Sequence, residues 1–215
     1  MQKRILFLLL FFMFLGSTGF AQESVEIAAS RNKQIHDLLD YRFRGGFYSF
    51  ERVFLKNVKY TDEARVNCII GISVISFQVD CDGTLRNIRI KNPLHFGLDD
   101  QITKFMEATK GQWNPCHDNK YTKFSIPVQF TMEGTKTDSI DPVIILMGKN
   151  PGYVCNGDDY YLQKAKEALA KKKGKRAKPF IEKLIQRNPF NNEYFDMLKQ
   201  AMEFSDKGKR KKKEK

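Results

Sequence analysis

The sequence predicts an α+β fold: a small three-stranded antiparallel sheet with two or three helices on one face, followed by an α-helical hairpin region. Three observations predict it. Gly71–Asn92 ("GISVISFQVDCDGTLRNIRIKN") alternates apolar and polar residues on both sides of an Asp-Gly turn. Phe124–Met132 alternates strictly. The stretches around and between these repeat their apolar residues at helical spacing. The resulting order of helix, strand, strand, helix, strand makes one sheet covered by helices.

The first 21 residues stand apart. Lys3 and Arg4 precede the apolar run Ile5–Leu15, and "GSTGFA" supplies small residues before Gln22. This is the pattern of a cleavable signal peptide with its cut after Ala21. A membrane-spanning helix needs about 20 apolar residues, more than this run holds. No cysteine follows the cut, which argues against lipid attachment.

A helical segment, 22–43, comes next, with a thin stripe of Ile35, Leu38 and Leu39. "RGG" (Arg44–Gly46) interrupts it. Phe47, Phe50 and Phe54 then recur at helical spacing with Val53 beside them, a stripe that reads as core. "YTDEARVNC" (Tyr60–Cys68) is a short helix, with Thr61 as N-cap and Asp62 and Glu63 in the first turn.

In the first strand Ile75, Phe77 and Val79 share one face, and Ile72 and Val74 the other. "DCDG" (Asp80–Gly83) turns the chain, because Asp-Gly readily takes positive φ. Ile88 and Ile90 continue on the return strand. Gly97–Thr109 is an amphipathic helix with Leu98, Ile102, Phe105, Met106 and Thr109 in register. "GQWNPC" (Gly111–Cys116) ends it, and Phe124, Ile126, Val128, Phe130 and Met132 line one face of the third strand.

A helical crossover sets that strand parallel to the second strand, and so on the far side of the first. The expected order is second, first, third, with the third strand at an edge. Pro127 agrees, since proline cannot donate a ladder bond. Pro127, Gln129 and Thr131 should direct their backbone groups to the open side, while Ile126, Val128 and Phe130 bond inward. An open edge accepts another strand, so Ile126, Pro127, Val128, Gln129, Phe130 and Thr131 are the candidate partner-binding residues.

The domain so outlined runs over 44–133, and a linker over 134–158. Within the linker "PVIILM" (Pro142–Met147) is either an extra strand or a segment buried against a neighbour, which periodicity does not decide. Residues 159–205 form a helical region of three segments: Tyr160–Lys173, Lys175–Pro189 and Asn192–Phe204. Pro179 is tolerable in a first turn. A basic tail, 206–215, follows and is expected to be disordered.

The formal charge is +12, or +10 once Lys3 and Arg4 leave with the leader. Much of the excess sits in Lys207–Lys215, with seven bases and one acid. For an exported chain such a run suits anionic lipid, anionic polysaccharide or an acidic protein rather than nucleic acid.

Arg44–Glu133 resembles the TonB C-terminal domain family, in the form common among Bacteroidetes. The resemblance rests on Gly45, Gly46, Tyr60, Ala64, Arg65, Gly71, Val74, Phe77, Val79, Asp80, Asp82, Gly83, Leu98, Asp99, Trp113, Pro115, Pro127 and Phe130, in the family's order. Thr61 stands where that pattern has proline, and Cys81 is unusual in the turn. The resemblance implies a periplasmic protein-binding module, with an extended segment of an outer-membrane transporter or another envelope protein as partner. A transducing member also keeps a membrane anchor and a long Pro-rich spacer. Here Gly45 lies about two dozen residues after the expected cut, with no proline in Gln22–Asn92. At roughly 3.4 Å per residue that span does not reach between two membranes. Tyr161, Ala165, Ala168, Ala177, Ile181, Leu184 and Pro189 resemble one tetratricopeptide unit, and a lone unit needs something to pack against.

All four cysteines, Cys68, Cys81, Cys116 and Cys155, lie in the exported part, where disulfides form. The inferred topology puts Cys81 beside Cys116 at one end of the sheet and Cys68 near Cys155 at the other. Cys81, Asp82, Cys116 and His117 are the competing zinc set, but they lack C-x-x-C spacing. His36, His95 and His117 fall in no nucleophile or metal signature, so neither an enzyme nor a cofactor is expected. Trp113 and Tyr60 read as packing residues. Two functions follow as expectations. One is strand addition at the third strand. The other is an envelope-interaction protein whose basic tail and hairpin bind polyanions or a subunit, its edge closed by homodimerisation or by Pro142–Met147.

Overall fold

A computed structural model describes residues 19–117, 121–137 and 142–213. Most of the expected signal peptide, 1–18, lies outside them, and its last residues, 19–21, begin the first helix. The elements are α1 (Gly19–Arg42), α2 (Gly46–Asn57), α3 (Asp62–Val66), β1 (Gly71–Val79), β2 (Leu85–Lys91), α4 (Leu98–Ala108), β3 (Thr122–Met132), β4 (Ile144–Gly148), α5 (Asp158–Ala170), α6 (Gly174–Arg187) and α7 (Asn192–Lys213).

The sheet has four strands in the order β2-β1-β3-β4, which corrects the expected three-stranded antiparallel sheet. β1 pairs antiparallel with β2 and β3 in the expected arrangement, while β4 runs parallel to β3. The physical reason is the run "PVIILM". Val143, Ile144 and Leu146 are buried in the main core, so the segment gains both apolar cover and a ladder by joining β3. After β3, Gln129 Nε2 donates to Thr137 Oγ1 at 3.3 Å.

The core forms where α1, α2 and α4 cover one face of the sheet. The predicted stripe of Phe47, Phe50 and Phe54 is buried there, with Leu98, Ile102, Phe105 and Met106 of α4. Trp113 sits at its centre, with ring centroids 5.0 Å from Phe43, 5.1 Å from Phe77 and 5.4 Å from Phe124. Thr61 caps α3, accepting from Ala64 N at 3.1 Å.

The hairpin turn also finds its neighbour. Gly83 has φ 87°, and a Cβ there would stand 2.5 Å from the Trp113 carbonyl oxygen, so the turn needs glycine for both reasons. The Cys116 N–H donates to the Cys81 carbonyl at 2.9 Å, and the two side chains form a disulfide.

The helical hairpin packs on the first domain. A Cβ on Gly71 would stand 2.7 Å from the Gln186 carbonyl oxygen, and Asn92 Nδ2 donates to that same oxygen at 2.7 Å. Pro179 lies inside α6, past its first turn. The α7 helix runs from Asn192 to Lys213.

Candidate docking edge

The candidate residues on β3 are held in the middle of the sheet. On one side Gly71, Ser73 and Ile75 of β1 stand opposite Phe130, Val128 and Ile126. On the other, Val128, Gln129, Phe130, Thr131 and Met132 stand opposite Ile144, Ile145, Leu146, Met147 and Gly148. The Pro127 carbonyl accepts from Val143 N at 3.2 Å. Backbone groups of Pro127, Gln129 and Thr131 thus do point away from β1, but the chain itself occupies that side. Strand addition at Ile126, Pro127, Val128, Gln129, Phe130 and Thr131 is therefore corrected: the rim they were expected to offer is filled by β4. Pro127 is compatible because it lies opposite the start of β4, where little ladder is lost.

Two edges remain, β2 and β4, and they differ in chemistry. β2 carries exposed Arg86, Arg89 and Lys91, its register with β1 shifts between Ser76 and Gln78, and Asn87 has φ 55°. Arg86 also pairs with the Asp80 carboxylate. Cations and bulges of this kind blunt an edge against further strands.

β4 has none of these devices. The Gly148 carbonyl accepts from Glu133 N at 3.0 Å, so Gly148 faces β3. By strand alternation Ile144 and Leu146 face it too, and the N–H and C=O groups of Ile145 and Met147 point outward. Among the described residues no other backbone group pairs with them. Their side chains stand in solvent, Ile145 at 50% and Met147 at 66% exposure.

The C-terminal end of β4 is fixed. A Cβ on Gly148 would stand 2.7 Å from the Tyr60 ring, which therefore packs flush on the strand end. The Tyr60 hydroxyl donates to the Ile69 carbonyl. Burial pushes its pKa well above the ordinary phenol value, partly offset by the Arg187 charge. Past the strand, Cys155 is bonded to Cys68 with a Cα–Cα distance of 5.7 Å, and the Tyr153 hydroxyl donates to the Val66 carbonyl. Both predicted disulfides are formed, Cys81–Cys116 and Cys68–Cys155.

The competing readings find no support in the geometry. Cys81 and Cys116 are bonded to each other and cannot act as thiolate ligands beside Asp82 and His117. The Asp82 carboxylate accepts from Thr84 N at 2.8 Å, and that bond holds its pKa below the usual carboxylate range, as befits a turn former. His36 stacks on Phe47, His95 lies beside Asp99, and the His117 N–H donates to the Tyr41 hydroxyl. Trp113 is buried, with Nε1 donating to Thr109 Oγ1 at 3.1 Å.

Sequence reading missed two buried arginines. Arg42 donates from Nε to the Asn114 carbonyl at 3.1 Å, from Nη1 to Thr122 Oγ1 at 2.5 Å and from Nη2 to the Asp80 carbonyl at 2.6 Å. Arg187 pairs with Asp158 at 2.7 Å and lies 4.7 Å above the Tyr161 ring centroid. Each lies in register with the buried stripe of its helix, Arg42 three residues after Leu39 and Arg187 three after Leu184, but a charged side chain at a helix end ordinarily reads as surface.

No helix among the described residues is long and apolar enough to cross a membrane. Residues 56–132 match the family described as Gram-negative bacterial TonB protein C-terminal. The match ends at the last residue of β3, so β4 and the helical hairpin lie beyond it. Comparison with curated proteins and with solved structures found no match.

Proposed function

From a chain that carries a TonB C-terminal domain over residues 56–132, we propose a non-enzymatic protein-binding module of the periplasm, exported with cleavage after Ala21. Domains of this family serve envelope transport through protein contacts, and this one holds an extended segment of an outer-membrane transporter or another envelope protein by strand addition. The observation that carries the reading is the contrast between edges: β3 is filled, β2 is blunted by cations, and β4 is apolar and, among the described residues, unpaired on its outer side. Docking therefore takes place along Ile145 and Met147 of β4. Main-chain bonds supply affinity, and the two side chains supply the apolar contact.

The test uses a proline. The Met147 N–H points away from β3, so Met147→Pro removes an outward donor while leaving the β3 ladder in place. The mature chain should capture an outer-membrane transporter from envelope extracts, and the variant should do so about tenfold more weakly or worse. Equal capture by a Met147→Pro protein with unchanged circular dichroism would exclude this edge.

The charge of +12 favours a second reading, in which the basic end of α7 binds envelope polyanions. Such binding collapses as salt rises, whereas strand addition does not.

A further inference from the structure

We propose that the solvent face of β2 holds an extended acidic segment of a partner protein, with carboxylates at alternate positions of its chain. This surface is separate from the β4 edge and goes beyond the strand-addition reading.

The β2 sequence does not alternate simply. Strict alternation would put Arg86 on the face of Ile88 and Ile90, and Leu85 on the face of Arg89 and Lys91. The register shift between Ser76 and Gln78 changes this, and Asn87, at φ 55°, lies within it. An extra residue of this kind re-aims the side chains beside it. Leu85 turns into the main core, against which Ile88 and Ile90 also pack. Arg86, Arg89 and Lys91 all stand in solvent. Their partners on β1 are Gln78, Ser76 and Val74, which share one face of that strand. The bulge thus collects three cations on one face.

Their spacing selects the partner. Successive β1 partners are two residues apart, so the cations repeat about every 7 Å, at roughly 3.4 Å per residue. That is the repeat of alternate side chains in an extended polypeptide. A fluid lipid surface offers charge without a fixed repeat. No exposed large apolar side chain lies on β2 to enter a bilayer either.

The charge is also uncompensated. No acidic residue lies between Gly83 and Leu98. Arg86 pairs with Asp80, whereas Arg89 and Lys91 meet no carboxylate among the described residues. Exposed Lys123 of β3 adds a cation in the row of Arg86, since both stand opposite Gln78. Ser76 and Ser125 stand opposite one another and supply hydroxyl donors in the row of Arg89. Protection of an edge asks for charge, but not for three cations on one face at a constant interval.

Exposed ion pairs are individually weak, so this contact is weak and falls as salt rises. Amide NMR titration of the chain from Gln22 onward with two end-blocked peptides of equal composition tests it. One is Asp-Thr-Asp-Thr-Asp-Thr and the other Asp-Asp-Asp-Thr-Thr-Thr. At low salt the alternating peptide should shift the amides of β2 and of Ser76–Gln78, and bind at least about threefold more tightly than the block peptide. Arg89→Gln with Lys91→Gln should weaken it at least about threefold. Lys171→Gln with Lys175→Gln, an equal loss of charge at exposed sites elsewhere, should leave it unchanged. Met147→Pro should also leave it unchanged, whatever that variant does to transporter capture. Equal binding of the two peptides, equal loss in the two double variants, shifts centred on β4, or no shift at all overturns the proposal. Phosphatidylglycerol vesicles that bind through Arg89 and Lys91 while the alternating peptide does not bind would overturn it as well, in favour of a lipid surface.

Discussion

Arg42 closes α1 onto the rest of the domain through three neutral acceptors, the carbonyls of Asn114 and Asp80 and the hydroxyl of Thr122. It is fully buried. A buried cation is stable only when its donors are satisfied, and here they converge on the turn after β1, the start of β3 and the segment between them. Replacing it with methionine keeps the packed stem but strands two carbonyls and a hydroxyl. Arg42→Met should therefore destabilise by about 3 kcal/mol, read as a lower urea midpoint, with both disulfides still formed. A loss under about 1 kcal/mol would mean that water replaces the guanidinium, which would sink this role. In "DLLDYRFRGG" Arg42 keeps register with Leu38 and Leu39, yet an arginine at the end of a helix reads as surface. By contrast Phe50 and Trp113 announce themselves, since large apolar side chains have few stable places outside a core.

At the scale of elements, β4 changes what the domain can do. It turns β3 from an edge into an interior strand and moves the accessible rim outward by one strand. The Cys68–Cys155 bridge anchors its exit, closing a loop with a sequence separation of 87. Removing it with Cys68→Ser and Cys155→Ser should cost about 2–4 kcal/mol. Hydrogen exchange gives the local prediction. The Leu146 and Gly148 amides face β3, and in the double variant they should lose more protection than the β1 amides. Equal losses in both strands would show that the bridge supports the whole domain rather than latching β4. Helix α5 and its neighbours fit the lone-repeat expectation in one respect: the hairpin finds its cover on the sheet domain through Gln186, Gly71 and Asn92.

Across the whole molecule, the neutral, apolar rim at β4 and the cationic run that ends α7 differ in their physics. Truncation after Asp206 removes the basic run without touching the buried residues of the hairpin core. It should leave the melting transition unchanged and abolish binding to vesicles rich in anionic lipid. Binding by the full chain should weaken steeply as the Debye length falls from about 10 Å toward 3 Å. Vesicle binding that survives truncation would assign the attraction to another surface. What the sequence determined by itself was local or followed from handedness: the strand faces, the Thr61 cap, the Asp-Gly turn, the β2-β1-β3 order and both cysteine pairs. Alternation and capping are read over a few residues, and right-handed crossovers leave few topologies open. What only the tertiary structure decided was the use of Pro142–Met147. A short apolar run demands burial without specifying against what, so the unfilled rim of β3, the strand just before it in the chain, made it a strand.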